Sequence, residues 1–414
     1  MSLLFFIIRI SLLGGLFFYV GKRLLVDTEI PAPWRKRLLL LFALCCLSVP
    51  FTILSRYFSA TVGQTLGWVS FFWMAIAGLM MLGLLVVDIL VLLFTGSHLL
   101  HKRIRAKSPP PPATNSDLAH ANTQALSRRR FLRRITSGGV ALSASTLSAR
   151  GAVKTLQTPP VITQPIALRR LPTSMDGFSI LQISDLHIGN TIGEAYVSAV
   201  VDAVNAAKPD LIVMTGDMVD GSVEGLRSHA APLARLQAVH GVYFTTGNHE
   251  YYSGVEPWLV HLRELGIRVL RNERVRIGDE QHSFDLAGID DYGAGRWAGH
   301  GPDIASALAG RDDSRELVLL AHQPRQVHEA KKYGVGLQLS GHTHGGQIWP
   351  WHYLVKAQQG GLLAGLSVHE ETQLYISSGT GYWGPPVRIL SRSEITRIVL
   401  RATPDSTAPA HVPG

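Results

Sequence analysis

The chain has 414 residues, 46% of them hydrophobic, and a formal charge of +9. Residues 1–159 hold 18 Lys and Arg against 4 Asp and Glu, whereas residues 160–414 hold 21 against 26, so the basic excess belongs to the N-terminal part. The mildly acidic remainder lacks the electrostatic footprint of a nucleic-acid binder, which argues against a nuclease, and the two cysteines, Cys45 and Cys46, adjoin in an apolar run where they cannot staple that remainder.

Three apolar runs open the chain, at Leu3–Val20, Leu38–Leu54 and Leu66–Phe94. The first two are near the roughly 17–20 residues needed to cross a bilayer and the third can span with tilt, so residues 1–105 are expected to be a transmembrane region of three helices. Arg9 and Asp88 interrupt the runs, and Asp88 is read as lying near a helix end where a carboxylate reaches water. Lys22, Arg23, Arg35, Lys36 and Arg37 crowd the first loop, Arg56 stands alone in the second, and Lys102, Arg103, Arg105 and Lys107 follow the third run. By the positive-inside rule the first loop and the segment after residue 95 face the cytoplasm, with the N-terminus outside.

Residues 106–159 read as a linker. Ser108–Ser127, opening on Pro109–Pro112, is expected to be disordered. Ser127–Arg133 (Ser-Arg-Arg-Arg-Phe-Leu-Arg) resembles the twin-arginine export motif, and the small-residue apolar segment Ile135–Ala149 follows it as a candidate fourth span. If that segment crosses, the remainder of the chain is extracytoplasmic. The plainer reading is a basic patch beside the membrane that binds anionic lipid heads.

From residue 160 to 404 the pattern alternates, ahead of a disordered tail at 405–414. Ser179–Ile183, Leu211–Met214, Val242–Thr246, Leu317–Leu320 and Leu337–Leu339 read as buried strands. Ala195–Ala206, Gly225–Ala238, Pro257–Leu265 and Arg325–Lys332 read as helices, with Pro257 and Pro324 where a first turn accepts proline. Further strands in 267–288, 373–378 and 394–400 are expected to form a second sheet.

Five polar clusters punctuate this pattern: Asp185-Leu186-His187, Gly216-Asp217, Gly247-Asn248-His249-Glu250, Ala321-His322 and Gly341-His342-Thr343-His344. Several follow an apolar run, which places their side chains where strands give way to loops, the edge at which sites assemble in open α/β sheets. Asp, Asn and His together suit Mn, Fe, Zn or Mg, and seven such ligands exceed what one ion uses, so two divalent cations sharing a bridging carboxylate is the economical reading. Alone, Asp185 or Asp217 could equally cap a helix or close a turn, and His322 could be an ordinary core histidine. The conjunction favours the metal reading. The region has no Gly-x-Ser-x-Gly elbow and no cysteine, which argues against acyl-enzyme or cysteine-phosphatase chemistry.

The order and spacing of the five clusters, over residues 178 to 400, resemble the calcineurin-like metallophosphoesterase family. The resemblance implies a four-layer α/β/β/α sandwich, here preceded by an all-α transmembrane region. It implies Asp185, His187 and His344 on one metal, Asn248, His322 and His342 on the other, Asp217 bridging, and His249 as the catalytic residue that protonates the leaving oxygen or stabilises the transition state. Attack would come from a metal-bound hydroxide on a phosphoester or pyrophosphate. The family usually has Asp where Glu250 stands, so a role for Glu250 in orienting His249 is not expected. Asp290 and Asp291 fall where a Gly-x-Asp-Asp segment recurs in the membrane-associated branch, as substrate or supporting residues, and Ser378–Pro386 is expected to wall the site mouth. Within the family the chain is most similar to members with N-terminal spans or export signals, some of them similar to UDP-diacylglucosamine pyrophosphatases, which implies a phosphorylated small-molecule or lipid-linked substrate at the inner or plasma membrane. The competing reading is a membrane protein whose phosphoesterase-like domain binds metal or ligand without turnover.

Overall fold

The computed structural model describes residues 3–55, 60–105 and 115–403, and it divides into two compact units, residues 1–150 and 151–414. Arg56, Lys107, Pro109–Pro112 and the tail 405–414 lie outside the described residues.

The N-terminal unit is helical. α1 (Leu3–Gly21) runs into a short π-helix (Lys22–Val26), followed by α2 (Ala32–Ser55), α3 (Ala60–Arg105) and α4 (Asn115–Thr155). All three apolar runs are therefore helices. Among the described residues one segment, Thr65–His98 in α3, is long and apolar enough to cross a membrane, where three were expected. Only 28% of its most apolar window is buried, so its apolar surface faces outward as a span's does. In α2, Arg35, Lys36 and Arg37 occupy the opening turns and leave an apolar run at the short limit for spanning.

Two further expectations change. The stretch read as disordered is helical from Asn115 onward, because strong helix formers (Leu118, Ala119, Ala121, Gln124, Ala125, Leu126) lie between the prolines and the arginines. The twin-arginine-like residues sit in the same helix, where Arg130 pairs with Glu29 at 2.7 Å and Arg134 donates to the Thr28 and Glu29 carbonyls. Asp88 is not at a helix end: it lies well inside α3 and accepts from Tyr19 Oη at 2.7 Å and Arg23 at 2.5 Å, so a counter-ion rather than water satisfies it.

The second unit holds two six-stranded sheets. In chain order its strands are β1 (Val161–Leu168), β2 (Ser179–Ile183), β3 (Leu211–Thr215), β4 (Val242–Thr245), β5 (Arg268–Val269), β6 (Glu273–Gly278), β7 (Ser283–Gly288), β8 (Leu317–Leu320), β9 (Leu337–Ser340), β10 (Gly365–His369), β11 (Thr372–Ile376) and β12 (Ile395–Ala402). The helices are α5 (Glu194–Ala206), α6 (Val223–Ala230), α7 (Asn248–Ser253), α8 (Val255–Glu264), α9 (Ile304–Leu308), α10 (Val327–Ala330) and α11 (Trp351–Gln358). One sheet has the order β1-β12-β2-β3-β4-β5 and the other β10-β11-β9-β8-β7-β6. The late strand β12 and the short β5 thus belong to the first sheet, not the second as expected, while β8 and β9 belong to the second. β12 returns to lie between β1 and β2, antiparallel with β2 and parallel with β1, which leaves β1 at the edge of the first sheet.

The two-residue period of the strands produces the layers. On β3, Leu211 and Val213 join Phe284, Val318, Leu320, Leu337 and Leu339 in the core between the sheets. Ile212 and Met214 face the other way, onto Val197, Val201, Trp258 and Leu259 of α5 and α8. On β8, Val318 and Leu320 point between the sheets, while Leu317 and Leu319 pack on Ile304 and Leu308 of α9. Helix, sheet, sheet, helix is the resulting stack, and each fully buried aliphatic side chain stabilises it by about 1.5–3 kcal/mol relative to exposure.

Candidate metal centre

β2, β3 and β4 run parallel, as do β7, β8, β9 and β11 in the other sheet, so all end at carboxyl edges from which loops project. Asp185 and His187 follow β2, Asp217 follows β3, and Asn248 opens α7 just after β4. His322 follows β8, and His342 and His344 follow β9. The loops are tied to one another: Asp185 N–H donates to Gly216 O, His187 N–H to Asp217 O and Gly341 N–H to His322 O. The turns are tight enough to demand glycine at two points. A Cβ on Gly216 (φ +83°) would fall 2.5 Å from Gly247 N, and one on Gly341 would fall 2.0 Å from Ser184 Oγ and 2.1 Å from Asp185 Oδ2.

Five of the seven proposed ligands, Asp185, His187, Asp217, His342 and His344, have positive φ, between +51° and +74°. That conformation is costly for residues with a Cβ and persists only where surroundings enforce it, which concentrates backbone strain at this one place.

Ligand atoms converge there in three overlapping groups: Asp185, His187 and His344; His187, Asp217 and His249; and Asp217, His322 and His342. Within each group the atoms lie within 4.8 Å of one another. Asp217 joins the groups through a single atom, Oδ2, 3.9 Å from His187 Nε2 and 3.1 Å from His322 Nε2. His187 Nε2 and His344 Nε2 stand 3.0 Å apart, and His342 Nδ1 stands 3.2 Å from His322 Nε2.

The partners on the far side of the rings decide whether this set suits a cation. His187 Nδ1 faces Asp220 Oδ2 at 3.1 Å and His322 Nδ1 faces the Thr215 carbonyl at 2.8 Å, so both rings turn Nε2 inward, toward the place a cation would take. In the metal-free protein His322 Nε2 lies 3.1 Å from Asp217 Oδ2, and although burial disfavours the charge, Asp217 raises the His322 pKa well above its usual range, so a cation bound there would take the place of that proton. Burial and the neighbouring His322 depress His342 to about 3, and burial followed by His187 holds His344 well below the usual range, so both stay neutral as ligands must be. Burial pushes the Asp185 carboxyl up against the pull of His322, and a cation would supply the charge it lacks. Asn248 Oδ1 is buried and has no hydrogen-bond donor, which leaves an oxygen ligand waiting. The seven residues fit divalent metal.

His249 stands beside this set, ring to ring with His187 at 4.6 Å and with Trp383 at 5.7 Å. Its Nδ1–H donates to Asp220 Oδ1. Burial lowers its pKa, but the charge of Asp217 and the bond to Asp220 outweigh burial and lift it to about 9. Asp220 was not singled out from sequence. It receives both His187 and His249, and despite burial their charges hold its carboxyl well below the normal range. The signal available was its place three residues after Asp217, at the close of the same loop.

Glu250 does not orient His249. Its carboxylate accepts the backbone N–H groups of Asp217 (2.9 Å), Met218 (2.7 Å) and Gly247 (2.7 Å), bracing the two loops behind the bridging carboxylate. Asp290 is bound by Arg271 through two hydrogen bonds of 2.8 and 2.7 Å and stands apart from the cluster. Asp291 shares a cleft with Asn248 and His342, its oxygens accepting from Gln323 and Gly293.

The glycine-rich segment packs on the site: Thr380 N–H donates to Ser184 O and Gly381 N–H to Asp185 O. Arg388 lies behind it, 3% exposed, with its guanidinium donating to the carbonyls of His344, Ser378 and Gly381.

The fold and this site define a metallophosphoesterase, and comparison with known proteins gives the same family: the calcineurin-like phosphoesterase profile matches residues 178–346. A metallophosphoesterase of Helicobacter pylori (strain ATCC 700392 / 26695) is 39% identical over 68% of this chain and 74% of its own length. The metallophosphoesterase YkuE of Bacillus subtilis is 32% identical over 67% of this chain and 99% of its own. A Danio rerio protein described as a transmembrane protein with metallophosphoesterase domain is 40% identical over 62% of this chain, which spans 60% of that relative's length. The chain belongs to the calcineurin-like metallophosphoesterases, and its second unit is a domain of the phosphoester-hydrolysing class.

Proposed function

We propose that the protein is a membrane-anchored phosphoesterase dependent on two divalent cations. Asp185, His187 and His344 would hold one cation, Asn248, His322 and His342 the other, with Asp217 between them. The observation that carries this reading is the inward convergence of His187 Nε2 and His322 Nε2 on the Asp217 Oδ2 atom, with His344 Nε2 beside the first and His342 Nδ1 beside the second. Cations bound there supply Lewis acidity toward a phosphoryl group and acidify water. The chain's own residues do the rest. His249, turned by Asp220 and charged at neutral pH, donates a proton to the leaving oxygen through Nε2–H. Asp220 stays ionised and fixes the ring, Glu250 holds the Asp217 backbone, and Trp383 and Tyr252 flank His249 at 5.7 and 5.3 Å between ring centres.

A lipid-linked or envelope phosphate suits an enzyme whose chain also carries the Thr65–His98 apolar segment. Multi-pass insertion, with the second unit outside the cytoplasm, is the topology that the Lys and Arg distribution and the twin-arginine-like segment favour.

The test is hydrolysis of bis(p-nitrophenyl) phosphate by the purified full chain, with Mn and with EDTA, beside Asp217→Asn and His249→Ala. The reading expects turnover that EDTA abolishes, that collapses in Asp217→Asn and that falls roughly a hundredfold or more in His249→Ala. Two metals bound with no turnover on mono-, di- and pyrophosphate esters would leave a binding protein instead.

A further inference from the structure

Past the last of the proposed ligands, the chain brings large apolar side chains to the surface. Trp349, Trp351, Tyr353, Leu354, Trp383 and Leu390 are between 36% and 87% exposed. Backbone and side-chain hydrogen bonds hold their segments together. Ile348 pairs with Ile389 in a parallel bridge and Trp349 N–H donates to the Ile389 carbonyl at 3.0 Å, so Trp349 and Leu390, the next residue on each segment, are neighbours. The Gln347 side chain donates to the Trp383 carbonyl at 2.9 Å and accepts from Trp383 N–H at 3.0 Å. α11, which carries Trp351, Tyr353 and Leu354, has no buried residue. Single exposed apolar side chains are ordinary, whereas six on linked segments mark a surface that meets something other than water.

Charge and connectivity indicate what it meets. The second unit is mildly acidic as a whole, yet residues 343–369 and 372–393, which supply the entire patch, contain no Asp or Glu, and their Lys356 and Arg392 are exposed. The second unit also receives the rest of the chain here. At its first residue, Gly151, a Cβ would fall 2.7 Å from Val387 Cγ1 and 2.9 Å from the Arg388 carbonyl oxygen, on the segment that leads to Leu390, and the chain before Gly151 contains the Thr65–His98 apolar segment. Trp and Tyr concentrate where hydrocarbon meets water, because each has an apolar ring and a polar tip, and Lys and Arg beside them favour anionic headgroups.

We infer that this patch docks on the surface of a lipid bilayer, with α11 and Leu390 in the headgroup layer. Trp383 belongs both to the patch and, 5.7 Å from the His249 ring, to the wall of the metal site, so docking brings that wall to the membrane surface. The anchoring proposed above tethers the chain without fixing which face of the second unit meets the lipid.

The experiment places an environment-sensitive fluorophore on Tyr353→Cys, Leu390→Cys or Val239→Cys in a Cys45→Ala/Cys46→Ala full chain, reconstituted in vesicles of phosphatidylcholine and phosphatidylglycerol. Val239 is 83% exposed and lies just ahead of β4, at the sheet edge opposite the proposed ligands. An interfacial helix lies roughly 5–10 Å into the headgroup boundary, so brominated lipids should quench the labels at 353 and 390 at least about twofold and leave the label at 239 to aqueous iodide. Labels at 353 and 390 that answer only to iodide overturn the docking. Labels that answer to neither quencher lie under protein, either a second copy or the N-terminal unit, and overturn it as well. Flotation of the same vesicles reads the anchoring separately: a chain that floats with water-exposed labels loses the docking alone, and one that does not float loses both.

Discussion

Asp220→Asn isolates the residue on which proton delivery depends in this account. The carboxylate takes one imidazole N–H on each oxygen, His187 on Oδ2 at 3.1 Å and His249 on Oδ1. An amide of the same shape offers one acceptor and one donor, so one ring loses its bond or turns to its other tautomer, and the bond that remains goes to a neutral acceptor. A hydrogen bond to a charged group contributes about 1.5–3 kcal/mol, and Asp220 is 29% exposed, so solvent screening favours the lower half of that range. The expected loss in kcat/KM is therefore about 10- to 50-fold. A second consequence is signed. The carboxylate stabilises protonated His249, so its removal lowers the pKa of the ring, and the alkaline limb of the rate profile moves to lower pH. The assay is bis(p-nitrophenyl) phosphate hydrolysis from pH 6 to 10, with NMR titration of the imidazoles in metal-free protein. Rates within twofold of wild type, together with an unmoved His249 titration, would refute the assignment of Asp220 as the orienting group.

Other expectations follow from the same contacts. Gly341→Ala puts a Cβ 2.1 Å from Asp185 Oδ2 and should weaken Mn binding by roughly 10- to 100-fold in a chelator competition; unchanged affinity would count against Asp185 as a ligand. Glu250→Gln leaves at least one of three buried N–H groups unmatched and should lower stability by about 1–3 kcal/mol in urea melts, with no change in the pH profile of the chemical step. In metal-free protein, His249 has a folded pKa of about 9 against an ordinary value near 6.5. Its contribution to stability is full below about pH 6.5 and disappears as pH rises through 9. The wild type should therefore lose more stability than His249→Ala between pH 6.5 and 9.5, and parallel curves would contradict the charged His249–Asp220 pair.

The strands that carry the proposed ligands were readable because β2, β3, β4, β8 and β9 are buried on both faces, so short apolar runs end where the polar clusters begin. Their partition between sheets was not. A strand such as β12 pairs with β1 and β2 across more than 200 residues, and nothing local records the partner. That the polar clusters would converge was legible from their conjunction, but the positive φ at Asp185, His187, Asp217, His342 and His344 was not, since only the neighbouring glycines hint at tight turns. Asp220 was hidden because a lone acidic residue at the end of a loop looks like any solvated turn. Glu250 was noticed for its extra methylene, yet its partners are backbone N–H groups that sequence does not display. Helix α4 was missed from Asn115 because the preceding prolines dominated the reading of a stretch that is itself rich in helix formers.

The most direct test of the central claim is the number of metal ions held per chain, measured by elemental analysis after equilibrium dialysis against Mn or Zn in the wild type and Asp217→Asn. The account predicts two in the wild type and a marked loss at both positions in Asp217→Asn, because one carboxylate oxygen faces both ligand groups. One ion per chain, or two that Asp217→Asn leaves undisturbed, would contradict it.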